Sequence, residues 1–261
     1  MSGRPLSVNA ALGASAVPAR PATPPPRLRM FCFPYAGGSA RIFNGWGRHL
    51  PAGVEVCPVE LPGRGTRFGE PLRDRLGPLV EDLLPGVLAR ADAPIALFGH
   101  SLGALVAFEL GRRLASRHRM VPRHLIVSAL RAPHLPRTNV PEHTLPEPEF
   151  RARLREFDGT PDEVLADESL MDVVGPILRA DLAIPATYEH PPGARVTWPI
   201  TAFAGMEDTE APPDDVGAWQ EQTTGAFALH VLPDGHFFVH SQESSLLRAM
   251  SGLLRTVRES S

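Results

Sequence analysis

One pentapeptide constrains this chain more than any other feature: Gly99-His100-Ser101-Leu102-Gly103 follows a short apolar run at 94–98 and precedes a helix-like run at 104–115. At a strand-to-helix junction the pattern G-x-S-x-G specifies a sharp turn that lifts one serine hydroxyl clear of a sheet. Such a turn crowds the positions two residues either side of the serine, where Gly99 and Gly103 leave space that any side chain would fill. Ser101 is therefore the candidate nucleophile, and the turn demands a parallel sheet to carry it.

The rest of the chain supplies that sheet. Short apolar runs at 28–33, 54–61, 94–98, 124–129, 198–204 and 227–232 have the length and continuity of buried parallel strands. Helix-like segments at 41–50, 75–89, 102–117, 216–223 and 242–258 fall between or after them, which predicts an α/β fold with helices on both faces. Hydrophobic residues make up 43% of 261 positions, enough for one large core, and a net charge of −3 argues against a nucleic-acid partner. The stretch between 129 and 198 breaks the alternation. It is rich in Pro, Glu and Arg, with helical spacing at 147–157, 161–165 and 170–182, and it leaves from the edge where α/β sheets bind ligands. A helical lid over about 134–190 is expected.

Residues 1–27 mix Ala, Pro, Ser and Gly and end in Pro24-Pro25-Pro26, the composition of a flexible leader before a single domain at 28–261. No apolar stretch approaches the ~20 residues that cross a bilayer, so a soluble, cytoplasmic chain with no membrane contact is expected. Cys32 and Cys57 lie in strand-like runs and read as buried reduced thiols, and no metal-ligand spacing occurs.

A serine alcohol needs a base, and the base needs an acid to fix its tautomer; in elbow enzymes the order along the chain is Ser, acid, His. His236 follows the last strand-like run in Pro233-Asp234-Gly235-His236-Phe237-Phe238, where a turn projects it over the sheet edge. For the acid, Asp208 stands where the 198–204 strand releases its chain, with Glu207 and Glu210 close enough to compete and Asp214, Asp215 and Asp234 as weaker candidates. Two backbone N–H groups must meet the developing oxyanion. One should come from Leu102 and the other from the glycine-bearing loop Phe33-Pro34-Tyr35-Ala36-Gly37-Gly38, at Ala36 or a neighbour. That loop is no phosphate cradle, because no G-x-x-x-x-G-K-[ST] pattern follows and the chain contains no lysine.

Five segments in order, Phe33-Pro34-Tyr35-Ala36-Gly37-Gly38, Glu60-Leu61-Pro62-Gly63-Arg64-Gly65, the pentapeptide, Leu178-Arg179-Ala180-Asp181 and Gly235-His236-Phe237-Phe238, resemble the stand-alone type II thioesterases of polyketide and nonribosomal peptide assembly lines. The resemblance implies an α/β-hydrolase fold with a helical lid and hydrolysis of aberrant or stalled acyl groups held as thioesters on the phosphopantetheine arm of carrier domains. It gives Ser101 as nucleophile, His236 as general base, Asp208 as orienting acid, and Ala36 and Leu102 as oxyanion donors, with Glu207 as the substitute acid to test. It implies no metal and no cofactor of the enzyme's own, acyl or peptidyl carrier domains as partners, and a monomer. A polyketide pathway is the first expectation and a peptide pathway the alternative; a general carboxylesterase or lipase would share the triad. Tyr35, Phe237, Leu170 and Met171 are expected to face the acyl chain. Arg151, Arg153 and Arg155 in the lid, with Arg64 and Arg67, are candidates for docking an acidic carrier, or else members of ordinary solvated faces.

Overall fold

A computed structural model of the chain describes residues 26–136, 141–193 and 195–259; the leader expected at 1–27 lies almost wholly outside them. Six strands, β1 (Leu28–Phe33), β2 (Val54–Pro58), β3 (Ile95–His100), β4 (His124–Ser128), β5 (Ile200–Gly205) and β6 (Phe227–Leu232), form one sheet in the order β2-β1-β3-β4-β5-β6. Every neighbouring pair is parallel. Helices α1 (Leu76–Leu88), α2 (Leu102–His118), α3 (Glu147–Phe157), α4 (Asp162–Ala166), α5 (Glu168–Thr187), α6 (Pro213–Gly217), α7 (Phe238–Ser241) and α8 (Glu243–Glu259) complete the fold.

The strands are apolar on both faces because both faces are covered. In β1, Phe31 and Phe33 enter one core with α1 and α2, while Leu28, Met30 and Cys32 enter a second core with Phe43, Trp46 and the buried stripe of α8. In β3, Ile95 and Leu97 divide from Ala96 and Phe98 in the same way. This two-sided burial is why the strands read as continuous apolar runs. β6, at the edge opposite β2, differs in burial: it buries Leu232 and leaves 228–231 exposed, so it is not the buried strand expected.

Two helical expectations change. The segment read as a helix at 41–50 is two 3-10 turns, Ala40–Phe43 and Trp46–Arg48, separated at Gly45, whose φ of +90° no right-handed helix accommodates. The one read at 216–223 begins earlier, as α6 after Pro212, and continues as a 3-10 turn at Ala218–Gln222. Cys32 and Cys57 are buried free thiols, and burial pushes the Cys57 thiol up to about 11.

The insertion between β4 and β5 carries α3, α4 and α5 around a core of its own, made by Phe150, Leu154, Leu165, Met171 and Leu178. α5 starts on Asp167, whose carboxylate accepts the N–H groups of Ser169 and Leu170. It runs past the expected end at 182 to Thr187, although Pro176 and Pro185 each remove one N–H from its ladder. Five arginine side chains reinforce this small unit. Arg151 bridges Glu147 and Glu168, Arg153 bridges Glu156 and Glu210, Arg155 reaches Asp162, and Arg179 joins Glu147 while lying 3.9 Å above the Phe150 ring. The fifth, Arg64, comes from outside the lid and pairs with Asp181 of α5. No helix among the described residues is long and apolar enough to cross a membrane.

Candidate active site

Parallel pairing aligns the carboxyl ends of β1, β3 and β4, with Phe33 beside Gly99 and His100 beside Ser128. The chain returns across the sheet between β1 and β3, the topological switch point at which α/β sheets bind ligands. β3 then turns at once into α2 through Ser101, whose φ of +53° and ψ of −121° are rare for a residue with a side chain. The turn fits because of its glycines. A Cβ on Gly99 would lie 2.0 Å from the Gly103 carbonyl oxygen, and one on Gly103 would lie 2.1 Å from that of Phe33.

The side chains singled out in the sequence meet above this turn. Ser101 Oγ is 3.0 Å from His236 Nε2, and His236 Nδ1 donates to Asp208 Oδ2 at 2.9 Å. Asp208 is 3% exposed, and its other oxygen accepts the N–H groups of Glu210 and Ala211. Burial alone would raise its pKa, yet the His236 hydrogen bond and charge, with the two N–H donors, hold it below the usual aspartate value. An ionised Asp208 fixes the proton on His236 Nδ1 and leaves Nε2 free to take the serine proton. Glu207 is exposed and Glu210 is engaged by Arg153 at 2.8 and 2.9 Å, so neither rival acid is placed at the histidine.

Above β1, the N–H groups of Gly37 and Gly38 are taken by Asp181 and by the Tyr35 carbonyl. Among the described residues, the N–H groups of Ala36 and Leu102 meet no protein acceptor, which leaves both free for an oxyanion.

The sequence reading missed His100 and Ser128. His100 is fully buried; its Nε2 donates to the His236 carbonyl at 2.9 Å and its Nδ1 accepts from Ser128 Oγ at 2.9 Å. Burial first, then the neighbouring His236, lowers its pKa far enough to keep it neutral. The Ser128 carbonyl in turn accepts the Ser101 N–H at 2.7 Å, so one residue at the end of β4 anchors the nucleophile directly and the base through His100. The signal was present, since His100 sits inside the pentapeptide, but nothing in sequence joins it to position 128.

A cavity of about 410 Å³ is lined by Leu105, one turn along α2 from Ser101, by Leu182 and Ala186 of α5, and by Thr209 and Pro212 beyond the acid; no member of the triad lines it. None of the four residues expected at the acyl chain lines this cavity. Met171 belongs to the lid core, and Leu170, next to it on α5, points outward and is 44% exposed. Phe237 packs edge-on against Tyr35 and His236 beneath Gly159 of the lid, where a Cβ would come within 2.3 Å of the ring. Tyr35 bonds His240 at 2.8 Å. The docking arginines are also accounted for: the lid pairs Arg151 and Arg155 with its own carboxylates and Arg153 with its own Glu156 and with Glu210 beyond β5, while Arg64 and Arg67 are buried against Asp181 and against Glu70 and Asp82. Among the described residues no cluster of His, Cys, Asp or Glu is arranged to hold a metal ion.

Comparison with known proteins gives consistent matches. The Thioesterase domain family matches residues 28–254. Thioesterase PikA5 of Streptomyces venezuelae is 37% identical over 263 residues, covering 99% of this chain and 91% of its own. Linear gramicidin dehydrogenase LgrE of Brevibacillus parabrevis is 38% identical over 230 residues, covering 87% and 88%. The structure of the type II thioesterase BorB from the borrelidin biosynthetic cluster superposes with a TM-score of 0.79 at 36% identity, covering 92% of this chain and 95% of that one.

Proposed function

This chain belongs to the Thioesterase domain family, and we propose that it works there as a type II, editing enzyme, hydrolysing aberrant or stalled acyl groups from the phosphopantetheine arm of carrier domains. The observation that carries the reading is the unbroken line from Ser101 Oγ through His236 to buried Asp208, beside two N–H groups that meet no protein acceptor among the described residues. Ser101 gives its proton to His236 Nε2 and attacks the thioester carbonyl. The oxyanion settles against the Ala36 and Leu102 N–H groups; as it collapses the C–S bond breaks and His236 passes the serine's proton to the departing sulfur, which leaves as the carrier's thiol and frees Nε2 to act as a base again. Water, deprotonated by His236, then releases the acid and restores the serine. These steps ask for no metal and no bound cofactor, since the pantetheine belongs to the substrate.

The relatives' names support hydrolysis of thioesters within biosynthetic clusters. One relative is named a dehydrogenase, but the loop after β1 in this chain lacks the G-x-G-x-x-G spacing of a dinucleotide turn and instead presents the Ala36 N–H. Acyl carrier domains of a polyketide synthase are the partners we assign first, with the enzyme acting as a monomer. The test is deacylation of loaded acyl and peptidyl carrier domains, followed by intact mass, beside free thioesters and oxygen esters. Faster loss of the acyl mass from the carriers supports editing; rapid cleavage of oxygen esters with the carriers still loaded would make the protein a general esterase.

A further inference from the structure

Two of the five motifs belong neither to the triad nor to the oxyanion loop, and the fold stacks them on that loop, which holds the Ala36 N–H. Arg64, from the loop after β2, and Asp181, from lid helix α5, are both buried and meet fork to carboxylate, at 2.5 Å from Nη1 to Oδ2 and 2.8 Å from Nη2 to Oδ1. Asp181 Oδ2 also accepts the Gly37 N–H at 2.7 Å. Arg64 Nη1 donates to the Gly38 carbonyl at 3.4 Å, and its Nε and Nη2 donate to the Pro62 carbonyl at 3.3 Å each. One turn before Asp181, Leu178 presses on the same loop: a Cβ on Gly37 would lie 2.6 Å from Leu178 Cδ2, and Gly37 holds a φ of +76°. The loop is thus gripped by the lid through an acceptor and a wall, one residue from the free N–H of Ala36.

A buried ion pair is costly to desolvate and often replaceable by apolar groups, so stability gives a weak reason to place one here. Aiming a backbone donor gives a strong one. We propose that Asp181 is a positioning residue for the reaction: carried on lid helix α5 and oriented by Arg64, its carboxylate holds the Gly37 N–H and thereby sets the direction of the Ala36 N–H. The oxyanion site is then complete only while α5 is seated, which makes lid position a condition for hydrolysis and not merely for binding. The inference rests on Ala36 being an oxyanion donor, as in the function proposed above.

The experiment compares wild type, Ser101→Ala, Asp181→Asn and the apolar double variant Arg64→Met with Asp181→Leu, which removes both charges together and so leaves no unpaired buried ion. Each is measured for thermal stability, for kcat and KM on an acyl-pantetheine thioester, for affinity toward a non-hydrolysable thioether analogue, and for affinity toward an alkyl trifluoromethyl ketone, which adds Ser101 to give an oxyanion. The folded double variant should lose about 100-fold in kcat and a similar factor in ketone affinity, with KM and thioether affinity near wild type. Asp181→Asn, which keeps an acceptor for Gly37, should recover part of both losses. A folded double variant with wild-type kcat and ketone affinity, or one that loses only KM and thioether affinity, would overturn the proposal. Failure of the underlying reading looks different: a wild type whose ketone affinity is matched by Ser101→Ala would remove the serine mechanism and the proposal with it.

Discussion

The sheet edge and the lid solve the same problem, holding polar groups in place, by opposite means. At the sheet edge, Ser101, His236 and Asp208 hang on backbone fixed by buried apolar strands and by glycines that admit no alternative. In the lid, five buried apolar residues form the core and arginine bridges do most of the tying, several of them to carboxylates exposed to water. Exposed pairs are individually weak and screened by salt. The difference teaches where each kind of precision resides: catalytic geometry is set by packing, which salt scarcely alters, and access is governed by a unit whose bonds salt can loosen. The Arg64–Asp181 pair is the place where the second reaches the first.

The largest effect should come from chemistry without folding. Ser101→Ala removes a hydroxyl whose backbone is already fixed, so kcat should fall by roughly 10⁴-fold or more while the melting temperature stays near wild type. A collapse of stability would show that the edge is not held by packing alone.

Gly103→Ala separates the two regions from the other side. Its Cβ would lie 2.1 Å from backbone that cannot move freely, and the unfolding free energy should drop by about 3 kcal/mol. Denaturant unfolding would reveal it, and a neutral result would break the claim that close packing builds the turn.

Acid should attack the sheet before the lid. Burial lowers the pKa of His124, in β4, from 6.5 to about 4. The unfolded chain therefore takes up this proton first, so the stabilisation is fully present above pH 6.5, declines as the pH falls, and levels off below about 4, a loss of roughly 3 kcal/mol. Fully buried His100 acts in the same direction. In the lid, Arg151 and Arg179 hold the Glu147 carboxyl below its ordinary value, so its bridges outlast the first acid effects. Stability measured from pH 8 to 4 should fall, and His124→Gln should flatten that fall.

The smallest effect should belong to the lid alone. Raising NaCl from 0.1 to 1 M shortens the screening length from about 10 to about 3 Å, so amide exchange in α3 and α4 should quicken while that in β3 and α2 does not change. Equal acceleration in both regions would erase the distinction.

The same contrast decides what could be read from sequence. The sheet was legible because burial on both faces writes itself as unbroken apolar runs, and the triad because each member sits within a few residues of a strand end. The segment at 41–50 misled because its apolar spacing is helical, whereas one glycine at 45 takes a left-handed conformation. In the lid, helical spacing located α3 within its observed bounds, but charge is silent about its partner. Arg151, Arg153 and Arg155 look like a docking face until folding brings Glu147, Glu168, Glu210 and Asp162 to them. Leu170 and Met171 adjoin in sequence, and only the packing of α5 turns one to solvent and the other into the lid core.

The central claim is that Ser101 takes the acyl group from the carrier before water does. Rapid-quench mass spectrometry of the enzyme mixed with an acylated carrier domain tests it directly. The account predicts transient acyl mass on the peptide containing Ser101, rising as it leaves the carrier, and neither event in Ser101→Ala. Deacylation of the carrier with no acyl mass on that peptide, at a rate unchanged in Ser101→Ala, would contradict it.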